Sequence, residues 1–478
     1  MSKTPGSSSS VGDAASGTGA NERRSVAGHM AARVDRLPLT RVQWGMALLV
    51  ESAWGVIVID TDGIGARLYP FVWRPQHLIS PIEYGVIQAL QVGLGILLGV
   101  YVVGWIADRF GRRLAICLSA LLAGMFFWPF ALVTNFWGLC ALSVLSTLGV
   151  GGILVTHSTY ITEIVAPKYR NQVLLGTQSV TAAISVFIAL LGYWTFPDQW
   201  KLYMWIGTAL QLGVLLPLLL WLLPESPRWA EAHGRPEEAE RLMADLEERC
   251  RRASGAPLPE PDPRPHPVIV AEPHAWRELF ANPHYRSRVV PLIACWILGY
   301  AGIIYGVGAF AGVYMVDHGG SAHFVFGVFT IAAVATFLAF LANAWLRERV
   351  ERRDVILAVA ILFAIVWVFA YLFPSLTSIA IFYTLGRVAT SLWLFNMYNY
   401  TAVAFPTRIR SVAFAWTDGL GHLGAWAAVT LLGLLYNLGP NHLGWILFII
   451  IPGALLPGVL IRAMGIKQAG AVLEQVST

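Results

Sequence analysis

Gly104-Trp105-Ile106-Ala107-Asp108-Arg109-Phe110-Gly111-Arg112-Arg113 stands between two long apolar runs, and its reading decides the fold. Charges set in such surroundings, with a glycine on which the backbone can turn, read as a short loop joining two membrane helices.

Composition agrees with that reading. The chain is 56% hydrophobic and only 13% charged, too little polar surface to wrap 478 residues as a water-soluble globule. A helix needs roughly 20 apolar residues to cross the hydrocarbon core. About twelve such runs lie between residues 42 and 464. With the N-terminus inside, 29 of the 33 Lys and Arg residues fall on the cytoplasmic side, leaving Arg67, Arg74, Lys201 and Arg387 elsewhere. This asymmetry places both termini in the cytoplasm and explains the net charge of +5 without nucleic acid. The four cysteines show no metal-ligand spacing and read as packing residues.

The chain divides into five segments. Residues 1–40, rich in Ser, Gly and Ala, read as a disordered cytoplasmic tail. Residues 41–223 hold six spans, and 224–285 form a cytoplasmic connector. There a helix starts near Pro236 and a proline-rich stretch follows from Pro257. Residues 286–465 hold six more spans, and 466–478 form a cytoplasmic tail.

The two halves repeat. Ala344-Trp345-Leu346-Arg347-Glu348-Arg349-Val350-Glu351-Arg352-Arg353 is a worn copy of the opening stretch, displaced by 344 − 104 = 240 residues. Tyr160, Pro167 and Arg170 recur at nearly the same shift as Tyr400, Pro406 and Arg410. Two motifs displaced together indicate an internal duplication.

At this point the chain resembles the major facilitator superfamily over residues 41 to 462. Its first loop fits that family's G-x-x-x-D-R-x-G-R-R pattern at every defined position. Pro224-Glu225-Ser226-Pro227-Arg228-Trp229 after the sixth span, with Glu163 and Arg170 near the fourth, narrows the likeness. It points to the branch of sugar porters, organic cation carriers and aromatic-acid or metabolite proton symporters. The resemblance implies an all-α membrane protein of twelve helices in two pseudo-symmetric six-helix bundles, rocking about a central site. It implies a transporter and not an enzyme.

On this scheme Gly104, Asp108, Arg109, Gly111, Arg112, Arg113, Glu163, Arg170, Glu225 and Arg228 form a cytoplasmic gate. Asp108 would face a helix N-terminus of the opposite bundle, and Arg112 and Arg113 would meet Glu163 and Glu225. Glu348, Arg349, Arg352, Arg353 and Arg410 form its weaker copy, in which Val403 stands where Glu163 predicts an acid.

Ionisable groups inside spans are costly in lipid and usually face a cavity. Glu51, Asp60 and Asp62 lie on the first span, and Asp418 and His422, four residues apart, share one face of the eleventh. These five are the candidates for proton coupling. Asp62-Gly63 is similar to the D-G-x-D element of aromatic-acid symporters, with Gly65 in place of the closing acid. Arg387 on the tenth span binds a substrate anion or pairs with Asp60 or Asp62. Gln178, the 240-shifted counterpart of Asp418, joins Asn396, Asn399, Trp296, Tyr300 and Tyr305 as a candidate substrate contact. His157 reads as a packed histidine, and Gly149, Gly151 and Gly152 as close-packing residues.

The expected activity is proton-coupled symport of a small organic anion, an aromatic acid or related metabolite. Sugar or polyol transport ranks second, because the seventh span lacks the paired glutamines of sugar porters. An organic cation carrier and a non-transporting receptor complete the alternatives. The expected partners are a small-molecule substrate, protons and the bilayer of a bacterial cytoplasmic membrane, with no cofactor, no metal and a monomer as the working unit.

Overall fold

The computed structural model describes residues 29–261, 275–308, 310–346, 350–405, 407–438 and 447–464. A short helix α1 (His29–Asp35) precedes the first span, α2 (Arg41–Gly63), which runs on as a wider π-helical turn to Trp73. Five spans complete the first bundle: α3 (Pro81–Phe110), α4 (Arg112–Ala131), α5 (Phe136–Ile164), α6 (Pro167–Thr195) and α7 (Trp200–Leu222). The connector carries α8 (Pro227–Ala232), α9 (Pro236–Ser254) and α10 (Ala275–Ala281).

The seventh span is broken into α11 (Pro283–Ile304), α12 (Tyr305–Gly308) and α13 (Ala311–Asp317). The second bundle then adds α14 (Ala322–Leu346), α15 (Arg352–Leu372), α16 (Leu376–Val403), α17 (Thr407–Asn437) and α18 (Leu447–Met464). The protein is therefore an all-α membrane protein of twelve spans.

Local chemistry sets the ends of these helices. Ser80 and Glu83 form a reciprocal capping box ahead of Pro81, with Ser80 N–H donating to Glu83 Oε2 at 2.7 Å. Asn135 accepts from Gly138 N–H at 2.7 Å to start α5. Within the first bundle the glycines let backbones meet. A Cβ on Gly151 would lie 2.8 Å from Val100 N, and one on Gly149 would lie 2.6 Å from Ala123 N, so α5 packs directly on α3 and α4. This is the packing role expected of those glycines. Leu338, Ile365, Leu431 and Leu456 stay exposed on the bundle exterior, where acyl chains replace water.

The duplication is visible in hydrogen bonds. Tyr160 on α5 donates to Pro224 O at 2.9 Å, and its repeat partner Tyr400 on α16 donates to Ile461 O at 3.5 Å. Each fourth helix of a bundle is thus tied to the exit of its sixth.

The arginine-rich loops gather at one face, and the bundles meet at the other. There Arg74 pairs with Asp317 at 2.5 Å, Tyr84 packs on Phe310, and Phe71 and Phe196 both pack on Phe326. Gly85 of α3 and Gly433 of α17 touch backbone to backbone, a Cβ on the former lying 2.8 Å from the Cα of the latter.

The structure corrects the reading of the N-terminal tail. Residues 29–40 are folded onto the connector, with Met30, Val34 and Leu37 buried. Arg33 donates to Glu240 and to Glu247, each contact closing to 2.6 Å, and Arg36 donates to Glu247 and to Pro259 O. Composition had pointed to disorder, but an apolar face with two arginines opposite an acidic helix face is enough to fix the segment.

Candidate functional site

Two clusters of polar side chains emerge, one at the arginine-rich face and one inside the second bundle.

The first is built on Gly111. Its φ of +116° is a conformation that side-chain-bearing residues rarely adopt, and a Cβ there would collide with the Glu225 carboxylate. The bare backbone lets that carboxylate sit at the start of α4. There it accepts from Arg112 N–H at 2.9 Å, Arg113 N–H at 3.2 Å and Ser226 N–H at 2.8 Å. An acid at a helix N-terminus satisfies orphan donors and meets the positive end of the helix dipole. Burial pushes the Glu225 carboxyl above its ordinary value, and these three N–H donors oppose that push.

Arg112 bridges Asp108 at 2.6 Å and Glu163 at 3.2 Å. Trp229 of α8 donates its indole N–H to Asp108 O at 2.9 Å, docking the connector on the end of α3. Arg109 lies over the rings of Trp105 and Phe110, and Arg170 donates to Val165 O at 3.1 Å.

Two expectations about this cluster change. Asp108 reaches Arg112 of its own bundle, and its side chain is 76% exposed. Among the described residues it has no partner on a helix of the opposite bundle. Arg113 meets Glu225 only through its backbone N–H; its guanidinium donates to Leu220 O, since the sharp turn at Gly111 aims the side chain toward α7. Gly104 and Arg228 lie within this face, on α3 and α8. In the repeated loop, Arg352 and Arg353 begin α15, where Asp354 accepts from Arg462 at 3.1 Å. Glu348 and Arg349 lie outside the described residues, as does the side chain of Arg410.

The second cluster is centred on Asp418 of α17. Its Oδ1 accepts from Tyr300 of α11 at 2.5 Å and from Tyr398 of α16 at 3.3 Å. His422 sits one turn on, its ring 4.7 Å from that of Tyr300 and its Nδ1–H donating to Asp418 O at 3.1 Å. A carbonyl only accepts, so Nδ1 carries the proton and Nε2 is the exchangeable nitrogen. Tyr305 packs beside Tyr300 with ring centroids 5.7 Å apart. Four of the sequence candidates are therefore brought together.

Trp296 is fully buried behind this cluster and donates to Thr401 Oγ1 at 3.1 Å, so it supports the aromatic wall from within the bundle. Asn396 is likewise spent on structure: its amide donates to Asn343 Oδ1 at 3.1 Å and braces α16 against α14. Asn399, half-buried, donates to Phe395 O. Arg387 lies nearer the opposite face, its guanidinium over Gly308, where a Cβ would stand 3.9 Å from Nη1.

In the first bundle, Glu51 is fully buried on α2 and accepts from Thr181 Oγ1 of α6 at 2.7 Å. Its Oε2 has no hydrogen-bond partner among the described residues. Gln178 lies one turn before Thr181 on α6. His157 is packed as expected, stacked on Trp54 with centroids 5.3 Å apart. The side chains of Asp60 and Asp62 lie outside the described residues.

Sequence reasoning missed Tyr398 and Thr181. Neither is charged and neither falls in a motif, so only the folded helices single them out. It also missed the pair Arg74 and Asp317, at the ends of the first and seventh spans and 243 residues apart.

Among known proteins, the family described as "Sugar (and other) transporter" matches residues 83–466. The chain is 24% identical to the niacin transporter NiaP of Acinetobacter baylyi, over 94% of this chain and 99% of that one. It is 26% identical to the 4-hydroxybenzoate transporter PcaK of Pseudomonas aeruginosa, over 84% of this chain and 89% of that one. The inward open conformation of the xylose transporter XylE from E. coli superposes with a TM-score of 0.65 at 16% identity, covering 91% of this chain and 98% of that one. That last likeness is one of fold.

Proposed function

The chain belongs to the sugar (and other) transporter family of the major facilitator superfamily, and from that premise we propose that it is a proton-coupled symporter of a small aromatic acid. The observation that carries this reading is the placement of Asp418, Tyr300, Tyr398 and His422 in one bundle that also holds Arg387.

An aromatic acid presents a flat apolar ring and one carboxylate. Arg387 offers a bidentate fork for the carboxylate, and Tyr300 and Tyr305 offer ring faces. A substrate anion held within the same bundle as the Asp418 carboxylate is repelled by it unless a proton is present. Loading of anion and proton are therefore linked, which is the thermodynamic content of symport. Glu51, buried with one oxygen unpartnered among the described residues, is the corresponding proton-bearing group of the first bundle. Two relatives, named for niacin and for 4-hydroxybenzoate, take ring carboxylic acids.

Positive charge retained on the inner side makes the arginine-rich face cytoplasmic. Contacts between the bundles at the opposite face then describe a carrier open to the cytoplasm. A bacterial cytoplasmic membrane, crossed twelve times with both termini inside, is the corresponding location.

The test is uptake into proteoliposomes of labelled benzoate, 4-hydroxybenzoate, nicotinate, xylose and tetraethylammonium, with and without an inward proton gradient. Gradient-driven accumulation of a ring carboxylate is expected. Accumulation of xylose or tetraethylammonium alone would replace this reading with the sugar or cation alternative.

A further inference from the structure

We infer that Tyr300 and Tyr398 are positioning residues that hold Asp418 by one oxygen only, so that the other, Oδ2, is the atom on which the transported proton rides. The inference rests on the proton-coupled reading above and names the atom that reading requires.

A carboxylate offers acceptor sites on two oxygens. Both tyrosine hydroxyls, arriving from different helices, converge on Oδ1, at 2.5 Å and 3.3 Å. Among the described residues no donor reaches Oδ2. This asymmetry has a chemical consequence. A proton delivered by cavity water to Oδ2 forms an O–H bond there and leaves Oδ1 as the carbonyl oxygen, still able to accept from both hydroxyls. A proton placed on Oδ1 would compete with those hydroxyls for its lone pairs. The clamp therefore fixes the side chain without blocking the exchange.

Packing holds the donors in place. Tyr300 is buried, with its ring against Trp296 at 5.4 Å. Gly421, one turn from Asp418, gives it room, since a Cβ there would collide with the Tyr300 ring. Tyr398 lies against Phe414 and Trp296, with centroids 6.0 Å and 5.0 Å away. Among the described residues, the titratable groups around Asp418 are Tyr300 and Tyr305 on the seventh span, Tyr398 on the tenth, and His422 on its own helix, whose Nδ1–H is engaged with a backbone carbonyl. All belong to the second bundle, so rocking of the bundles carries the clamp along intact.

The test uses infrared difference spectra, acid minus alkaline, of the purified full-length protein in lipid nanodiscs without substrate. The wild type is expected to show a protonated-carboxyl C=O band that Asp418→Asn removes. A carbonyl that loses a hydrogen bond stretches at higher frequency. Tyr300→Phe and Tyr398→Phe are each expected to move that band upward, Tyr300→Phe further because it removes the shorter bond. Size-exclusion profiles identify any variant that fails to fold, and the other then decides. Absence of an Asp418-dependent band, or a band unmoved in the folded tyrosine variants, overturns the inference. Because no substrate is present, shifted bands alongside a failed gradient-uptake assay would leave the atomic assignment standing and remove the symport reading alone.

Discussion

Arg74, at the end of the first span, donates to Asp317, at the end of the seventh, at 2.5 Å, and so pins the two bundles together across the face opposite the arginine-rich loops. Tyr436 lies under the same guanidinium, 5.8 Å from it. The pair is partly solvated, its side chains 40% and 20% exposed, which limits it to about 1 kcal/mol, roughly fivefold in a population. Asp317→Asn is expected to enlarge the outward-open population by that order. The measure is maleimide labelling of a cysteine at Phe310. A double charge swap at the two positions should restore the wild-type rate, and equal labelling in all three proteins would exclude a closing role.

Gly111→Ala combines an unfavourable backbone conformation with a collision against Glu225. A loss of about 1–3 kcal/mol follows. Thermal unfolding in detergent should fall accordingly, and transport should fall with it. Gly213→Ala, where no atom lies within 4 Å of the added methyl, is the matched control and should be near neutral.

Asp108→Asn separates stability from cycling. The Asp108 side chain is exposed, so its bond to Arg112 supports the fold by less than about 1 kcal/mol. Unfolding temperature should hardly change, whereas uptake should drop if this carboxylate seats against the second bundle when the face closes. Wild-type uptake in the variant would confine Asp108 to its own bundle.

Arg387→Ala is expected to abolish gradient-driven uptake of ring carboxylates, with Arg387→Lys retaining a fraction because a point charge replaces the bidentate fork. Binding of the accepted acid, followed by calorimetry, distinguishes loss of affinity from loss of turnover. Unchanged affinity would remove Arg387 from the substrate site.

The arm formed by residues 29–40 should be insensitive to pH across the physiological range. Burial alone would raise the Glu247 carboxyl, but hydrogen bonds from Arg33 and Arg36, with their charges, outweigh it and hold the group below its ordinary value. A lowered native value means a stabilising contribution fully present above the unfolded carboxylate pKa of about 4.3, and lost as pH falls through the lower native value. Hydrogen exchange at Met30 to Leu37 should therefore stay protected to mildly acid pH and rise only below it. Arg33→Ala should expose the same amides at neutral pH.

Twelve spans, the repeat and the charged loop at Gly111 were legible because lipid imposes long apolar runs and topology imposes arginine. The pairing of Asp418 with His422 was legible from helical spacing alone. Arg112 with Glu163 was also legible, but partnership between uncharged side chains on different helices was not. Asn396 looked like a ligand contact until Asn343, 53 residues away, claimed its amide. Tyr398 looked like one more aromatic residue until α16 brought it to Asp418. The partner of Asp108 was not read either: it is Arg112, one turn on in the same bundle.

The touching backbones of Gly85 and Gly433 carry a mechanical meaning. With no side chains to interlock and no hydrogen bond to surrender, the two surfaces part or slide at the cost of dispersion alone, as a smooth bearing would. A methyl at either position is a wedge in that bearing, so two residues that bind nothing govern how closely the bundles meet there.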